Sequence, residues 1–175
     1  MNTATTTIDF ALRESSLGYI LLALSQRGVC TITLGDQAAP QIEHLLQKFP
    51  HAQLNNDHPL LNQYLDQVVA FVEAPQQNLQ LPLDLRGTPF QQQVWQALLA
   101  IPIGSTSTYT TIASRIGAPD AVRAVASACA ANPVALAIPC HRVITSNGSL
   151  SGYRWGVARK AELLRREALY THPES

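Results

Sequence analysis

The segment Ile138-Pro139-Cys140-His141-Arg142-Val143-Ile144 constrains this chain more than any other stretch. A thiol, an imidazole and a guanidinium stand side by side in an apolar run that ends in β-branched residues favouring extended backbone. Burying an unpaired ionised group costs on the order of several kcal/mol, so each side chain needs a partner or a chemical role. A lone cysteine here would read as packed core, because free cysteine is among the most buried residue types. Its neighbours turn the reading toward a nucleophile. A thiol of ordinary pKa, about 8.5, is only a few per cent ionised at neutral pH and needs a base or positive charge nearby, which His141 and Arg142 can supply. Were the segment a strand, Cys140 and His141 would point to opposite faces, and a bridging water or a bend at Pro139 would have to couple them.

The 175 residues, 46% hydrophobic and 14% charged, suffice for a real core. No run approaches the roughly 20 apolar residues of a membrane span, and the Thr-rich start lacks the basic and apolar regions of a secretory leader. A cytoplasmic, reducing location with no membrane partner is expected. The three cysteines, Cys30, Cys129 and Cys140, show no CxxC or paired Cys/His spacing, so neither a metal nor any other cofactor is expected. The net charge of zero conceals two opposite halves: residues 1–85 carry three basic and eight acidic side chains, residues 86–175 nine and four. That asymmetry points to a polyanion partner for the second half.

The pattern predicts α+β architecture in two domains, 1–85 and 86–175. In the first, Tyr19–Leu24 and Val29–Leu34 form a hairpin with Cys30, Ile32 and Leu34 on one face. Two amphipathic helices carry Ile42, Leu45, Leu46, Phe49 and, after an Asp57 cap, Leu61, Tyr64, Leu65, Val68. Leu79, Leu81, Leu83 and Leu85 alternate as an edge strand. His44, His51 and His58 read as surface residues, and this domain as structural.

In the second domain, Thr88-Pro89-Phe90-Gln91 is a capping-box start for a helix burying Val94, Trp95, Leu98 and Leu99. Thr108 caps a short helix from Tyr109 to Ile116. After Gly117-Ala118-Pro119, Asp120 caps another from Ala121 to about Ala131, a helix-turn-helix pattern. That last helix sets Val122, Val125, Ala126 and Cys129 toward the core and Arg123, Ala124, Ser127 and Ala131 outward. One arginine among very small residues reads major-groove base edges poorly, but it suits the minor groove, ~6 Å wide against ~10–12 Å for a fully dressed helix. Asn132-Pro133 ends the helix six residues before Pro139. In the final helix, about Val157 to Ala168, Glu167 projects to the side that Leu163 and Leu164 bury, with His141 as candidate partner and Lys160 as a competing one.

Four motifs share one register: Ile138–Ile144, Gly87–Trp95, Arg123-Ala124-Val125 with Asn132-Pro133, and Ser151-Gly152-Tyr153-Arg154-Trp155-Gly156. Together they resemble the O6-alkylguanine-DNA alkyltransferases, also called methylated-DNA-protein-cysteine methyltransferases, and most closely the C-terminal half of the bacterial adaptive-response regulators. The resemblance is strongest from Leu83 to Ala168. It implies a ribonuclease H-like N-terminal sheet covered by helices and a mostly helical, winged helix-turn-helix C-terminal domain. It further implies a monomer that binds double-stranded DNA containing alkylated bases through the minor groove with little sequence specificity. Arg123 would fill the stack left by a flipped guanine, Tyr109 would rotate its phosphate, and Ala124 and Ser127 would line the inserted helix. Asn132 would bridge that helix to the reactive strand. Glu167 would orient His141, which takes the Cys140 proton through water. Tyr153, Arg154, Val143 and Arg142 would surround the base, Arg154 standing where some relatives have a small residue. The implied reaction is a single irreversible transfer from O6-alkylguanine, with O4-alkylthymine a further candidate substrate. The alternative is a non-enzymatic lesion-binding module, but such relatives carry tryptophan at the cysteine position. A cysteine hydrolase would need direct Cys–His contact and an oxyanion hole, for which no motif is present. The zinc-cysteine and second DNA-binding domains of the adaptive-response regulators have no counterpart, so transcriptional control is not expected.

Overall fold

The computed structural model describes residues 7–150 and 152–171. Strands β1 (Asp9–Ser15), β2 (Gly18–Leu24) and β3 (Val29–Gly35) form an antiparallel meander, and β4 (Gln53–Leu54) adds to β1 in parallel, giving the order β3-β2-β1-β4. The hairpin lies where the sequence places it; β1, with its polar residues, did not announce itself. Both faces of this sheet are buried, which is why Tyr19–Leu24 does not alternate. One face packs Ala11, Ile20, Leu22, Leu24, Ile32 and Leu34 into the main core with helix α2 (Pro59–Glu73). The other packs Phe10, Leu21, Ala23 and Cys30 against Leu45 of helix α1 (Ala38–Lys48). A register shift between Ala23 and Leu24 puts Cys30 on the face opposite Ile32 and Leu34, contrary to the alternation expected for it.

Two further expectations fail for local reasons. Helix α2 is capped by His58 rather than Asp57, with Nδ1 accepting from the amides of Leu60 and Leu61 at 3.2 and 3.3 Å. Leu79–Leu85 is not a strand; only Leu83 bridges to Val29, through Val29 N to Pro82 O and Asp84 N to Val29 O. Gly28 permits that approach, since a Cβ there would lie 2.7 Å from Pro82 O.

Helix α3 (Pro89–Leu99) starts with the full capping box: the Thr88 hydroxyl accepts from Gln91 N at 3.1 Å, and Gln91 Oε1 accepts from Thr88 N at 3.0 Å. Val94, Trp95 and Leu98 are buried, whereas Leu99 is 36% exposed. Strand β5 (Ser107–Thr108) leads into α4 (Tyr109–Arg115), capped by Thr108 as expected, and α5 (Val122–Ala130) follows. Asp120 does not cap α5; its N-cap is Ala121, with no side-chain acceptor. Trp95 Nε1 donates to Ala128 O at 2.9 Å and pins α3 to α5. Strand β6 (Val143–Ile144) pairs in parallel with β5, and α6 (Val157–Thr171) closes the chain. Its Arg159 donates to Leu17 O at 2.7 Å and its Arg166 to Val72 O at 2.8 Å, so both halves share one core and cross-braced edges. No helix among the described residues is long and apolar enough to cross a membrane.

Removing the cap hydroxyl with Thr88→Ala should cost about 1 kcal/mol in urea unfolding, and Thr88→Ser should restore most of it.

Candidate active site

After α5 the chain is tied to the edge of β3, with Ile32 N donating to Pro133 O and Ala135 N to Ile32 O, both at 3.0 Å. Two γ-turns follow. Ala137 N donates to Ala135 O at 2.7 Å across Leu136, whose φ is +73°, and Cys140 N donates to Ile138 O at 2.8 Å across Pro139, at φ −81° and ψ 61°. A leucine in the left-handed region costs about 1–3 kcal/mol; burial of its side chain in the core holds it there. Cys140–Arg142 then make one 3-10 turn, and extended backbone begins only at Val143. The reactive segment is therefore a bend at Pro139 rather than the strand its residues suggest.

Cys140 is 5% exposed. Asn132, fully buried, donates from Nδ2 to Cys140 Sγ at 3.2 Å and to Ile138 O at 2.9 Å, while its Oδ1 accepts from Val134 N at 2.9 Å. One amide thus fixes both ends of the bend. Glu167 reaches in from α6 and accepts from His141 Nε2 at 2.7 Å, from Arg142 Nε at 2.8 Å and from Arg142 Nη2 at 3.0 Å. Arg142 Nη1 donates to Ile101 O and Asn78 Oδ1, each at 2.9 Å. This arginine, read from the sequence as lining a base pocket, is a buried counter-ion behind His141, and Val143 is buried beside it. Nothing in the sequence singles out Asn78.

Burial alone would raise the Glu167 pKa, but the His141 hydrogen bond and the Arg142 charge outweigh it and hold the group at about 2. Burial pushes His141 below its ordinary value. Burial likewise lifts Cys140 to about 11, against the smaller opposing effects of the Asn132 hydrogen bond and the Lys160 charge. At neutral pH the set is thiol, neutral imidazole and carboxylate. An ionised Glu167 requires the imidazole proton on Nε2, which leaves the lone pair on Nδ1. Nδ1 and the Tyr153 hydroxyl are buried polar atoms without a hydrogen-bond partner among the described protein atoms.

Tyr153 meets His141 edge-on at 6.5 Å between centroids and Trp155 at 5.4 Å. Arg154 lies over Trp155 and donates to Asn132 O and to His44 Nε2, both at 3.0 Å. On α5, Arg123, Ala124 and Ser127 are exposed. Tyr109 is half-buried at the start of α4, and burial lifts its phenol to about 12, so it remains a donor.

A buried cysteine held by Asn132 beside a His–Glu pair, on a sheet domain followed by a helical one, defines the class of protein to which the chain is similar. Residues 8–85 match the model of the 6-O-methylguanine DNA methyltransferase ribonuclease-like domain, and residues 89–169 that of its DNA-binding domain. The inducible methylated-DNA–protein-cysteine methyltransferase of Bacillus subtilis 168 is 43% identical over 78% of each chain. The bifunctional transcriptional activator/DNA repair enzyme Ada of Escherichia coli K12 is 54% identical over 92% of this chain, which spans only 46% of that protein. Mycobacterium tuberculosis OGT in complex with DNA superposes with a TM-score of 0.80 at 36% identity, covering 93% of this chain and 94% of that one. The chain belongs to the methylated-DNA–protein-cysteine methyltransferase family.

Arg142→Leu should destabilise the protein by about 3–5 kcal/mol in urea unfolding, because it strands a buried carboxylate. Arg142→Lys should recover only part, since an ammonium cannot fork across both oxygens and Ile101 O. Both His141 and Glu167 have depressed native pKa values, so their stabilisation is present at neutral pH and lost on acidification. The unfolding midpoint should fall first below about pH 6.5, as unfolded histidine takes a proton, and again below about pH 4.3. Iodoacetamide labelling of Cys140 should rise with pH toward about 11; a plateau reached by neutrality would reveal a resting thiolate.

Proposed function

We propose that this chain repairs duplex DNA by moving the alkyl group of O6-alkylguanine onto Cys140 in one irreversible step. The observation carrying this is the array Cys140–Asn132 and His141–Glu167, in which the imidazole lone pair lies on the nitrogen that Glu167 does not use. A water between Nδ1 and Sγ would pass the thiol proton to His141, and Glu167 would stabilise the resulting imidazolium. The thiolate attacks the alkyl carbon, a C–S bond forms as the C–O bond breaks, and the electron pair leaves with guanine, which takes up a proton. The product is a thioether, which none of these residues is equipped to hydrolyse, so each molecule acts once.

With Cys140 at 5% exposure, the base must leave the helix to reach it. Arg123 on the small-residue face of α5 would fill its place, and Tyr109 would turn the phosphate. Phosphate contacts and shape would supply affinity without sequence preference, which suits a lesion found in any context. Tyr153 and Arg154 would hold the base, and His141 with Glu167 would activate the sulfur. We place the reaction in an intracellular, reducing setting, in keeping with three buried free cysteines. Residues 1–85 form the scaffold and 86–175 the DNA-binding and reactive domain.

After incubation with methylated duplex, peptide mass spectrometry should find one methyl on Cys140 and none on Cys30 or Cys129. Label elsewhere, or many turnovers with a bare sulfur, would overturn the assignment. Arg123→Ala should slow repair of duplex far more than reaction with free alkylated guanine.

A further inference from the structure

One line of contacts from the first domain toward the reactive sulfur runs through the side chain of Arg154. Arg154 sits on the loop that carries Tyr153, next to Trp155. Its guanidinium has three engagements: the Trp155 ring, with Cζ 5.2 Å from the centroid, Asn132 O at 3.0 Å, and His44 Nε2 at 3.0 Å. Arginine can only donate, so His44 accepts, with its lone pair on Nε2. Asn132 is the residue whose side-chain amide holds Cys140 Sγ at 3.2 Å. A continuous chain of contacts therefore runs from the exposed surface of α1 through His44, Arg154 and Asn132 to the sulfur. His44 and Arg154 also close one wall of a cleft of about 430 Å³ lined by Thr33, Asp36, Gln41 and Trp155, so no packed side chain backs the arginine on that side. Besides Arg154, the charged groups around His44 are Asp36, across the cleft, and Glu43 and Lys48 on its own helix.

We propose that His44 is a positioning residue for alkyl transfer, acting as the N-terminal domain's latch on the Tyr153–Trp155 loop through Arg154. Without an acceptor at Nε2, one arm of the guanidinium turns to solvent, and the loop that sets Tyr153 against His141 is held by the remaining contacts alone. The sulfur becomes easier to reach for a small reagent, while the loop holds an extruded base less well. The latch follows from contacts within the protein; its effect on rate rests on the alkyl-transfer reading.

Three variants test this: His44→Ala, His44→Gln, which keeps an uncharged acceptor, and Arg154→Ala, the last also measured in combination with His44→Ala. Iodoacetamide labelling of Cys140 is read by peptide mass spectrometry, and single-turnover methyl transfer is followed on a duplex containing O6-methylguanine. His44→Ala should speed labelling and slow transfer by about tenfold each, the scale of losing one hydrogen bond to a charged group. The melting temperature should fall by no more than about 3–6 °C, and His44→Gln should return both rates toward wild type. In the Arg154→Ala background, His44→Ala should add nothing, because both act on one contact. Unchanged labelling in His44→Ala, failure of the Gln rescue, or a full additional effect without Arg154 would each overturn the latch. If labelling responds as stated while the wild type transfers no methyl to Cys140, the latch stands and the alkyl-transfer reading fails.

Discussion

Everything at the reactive centre depends on one buried carboxylate. Glu167 is shared by His141 and Arg142 with no exposure to solvent, and each partner solves a different problem. Arg142 supplies the positive charge that makes burial of the carboxylate tolerable, and Asn78 and Ile101 O take the donors of its Nη1. His141 gains orientation, because a carboxylate already neutralised by arginine can hold the Nε2 proton without pulling the imidazole into its charged form. The result is a base that is neutral at rest with its lone pair on the free side.

The thiol is activated differently than the run of Cys, His and Arg suggests. The Arg142 charge is spent on Glu167, and burial leaves Cys140 harder to ionise than a free cysteine. On the proposed alkyl transfer, ionisation would be tied to the moment of reaction, when the proton moves to His141. On that reading protection would follow, since a protonated, buried sulfur is a poor target for a passing electrophile.

Much of this was legible from residue patterns, and the exceptions share a cause. The capping box at Thr88, the outward face of α5 and the inward side of Glu167 depend only on helical spacing, and all three were found. The bend at Pro139 was legible only as one of two alternatives, because γ-turns at Leu136 and Pro139 have no sequence period and are imposed by the ties to Ile32 and Asn132. Asp57 and Asp120 are good cap residues whose positions missed the helix starts by one residue. The leucines at 79–85 alternate like a strand, yet Pro82 lacks a ladder donor and only Leu83 pairs. The partners of Arg142 and His44 were not legible for the opposite reason: they are far away in the sequence, and no local pattern marks them.

The sheet that is apolar on both faces carries a hidden ambiguity. Hydrophobicity normally sets how neighbouring strands slide past each other, because a slip by one residue would turn greasy side chains into water. Here such a slip would exchange one buried set for another at little cost. Alignment of β2 with β3 must come from the corner instead, where Ser25 N donates to Gly28 O at 2.8 Å and the Ser25 hydroxyl to Asp84 at 2.6 Å. Because Ile32 on that hairpin anchors both Pro133 and Ala135, the bend at Ser25–Gly28 is the fixed point from which the location of the distant sulfur is ultimately measured.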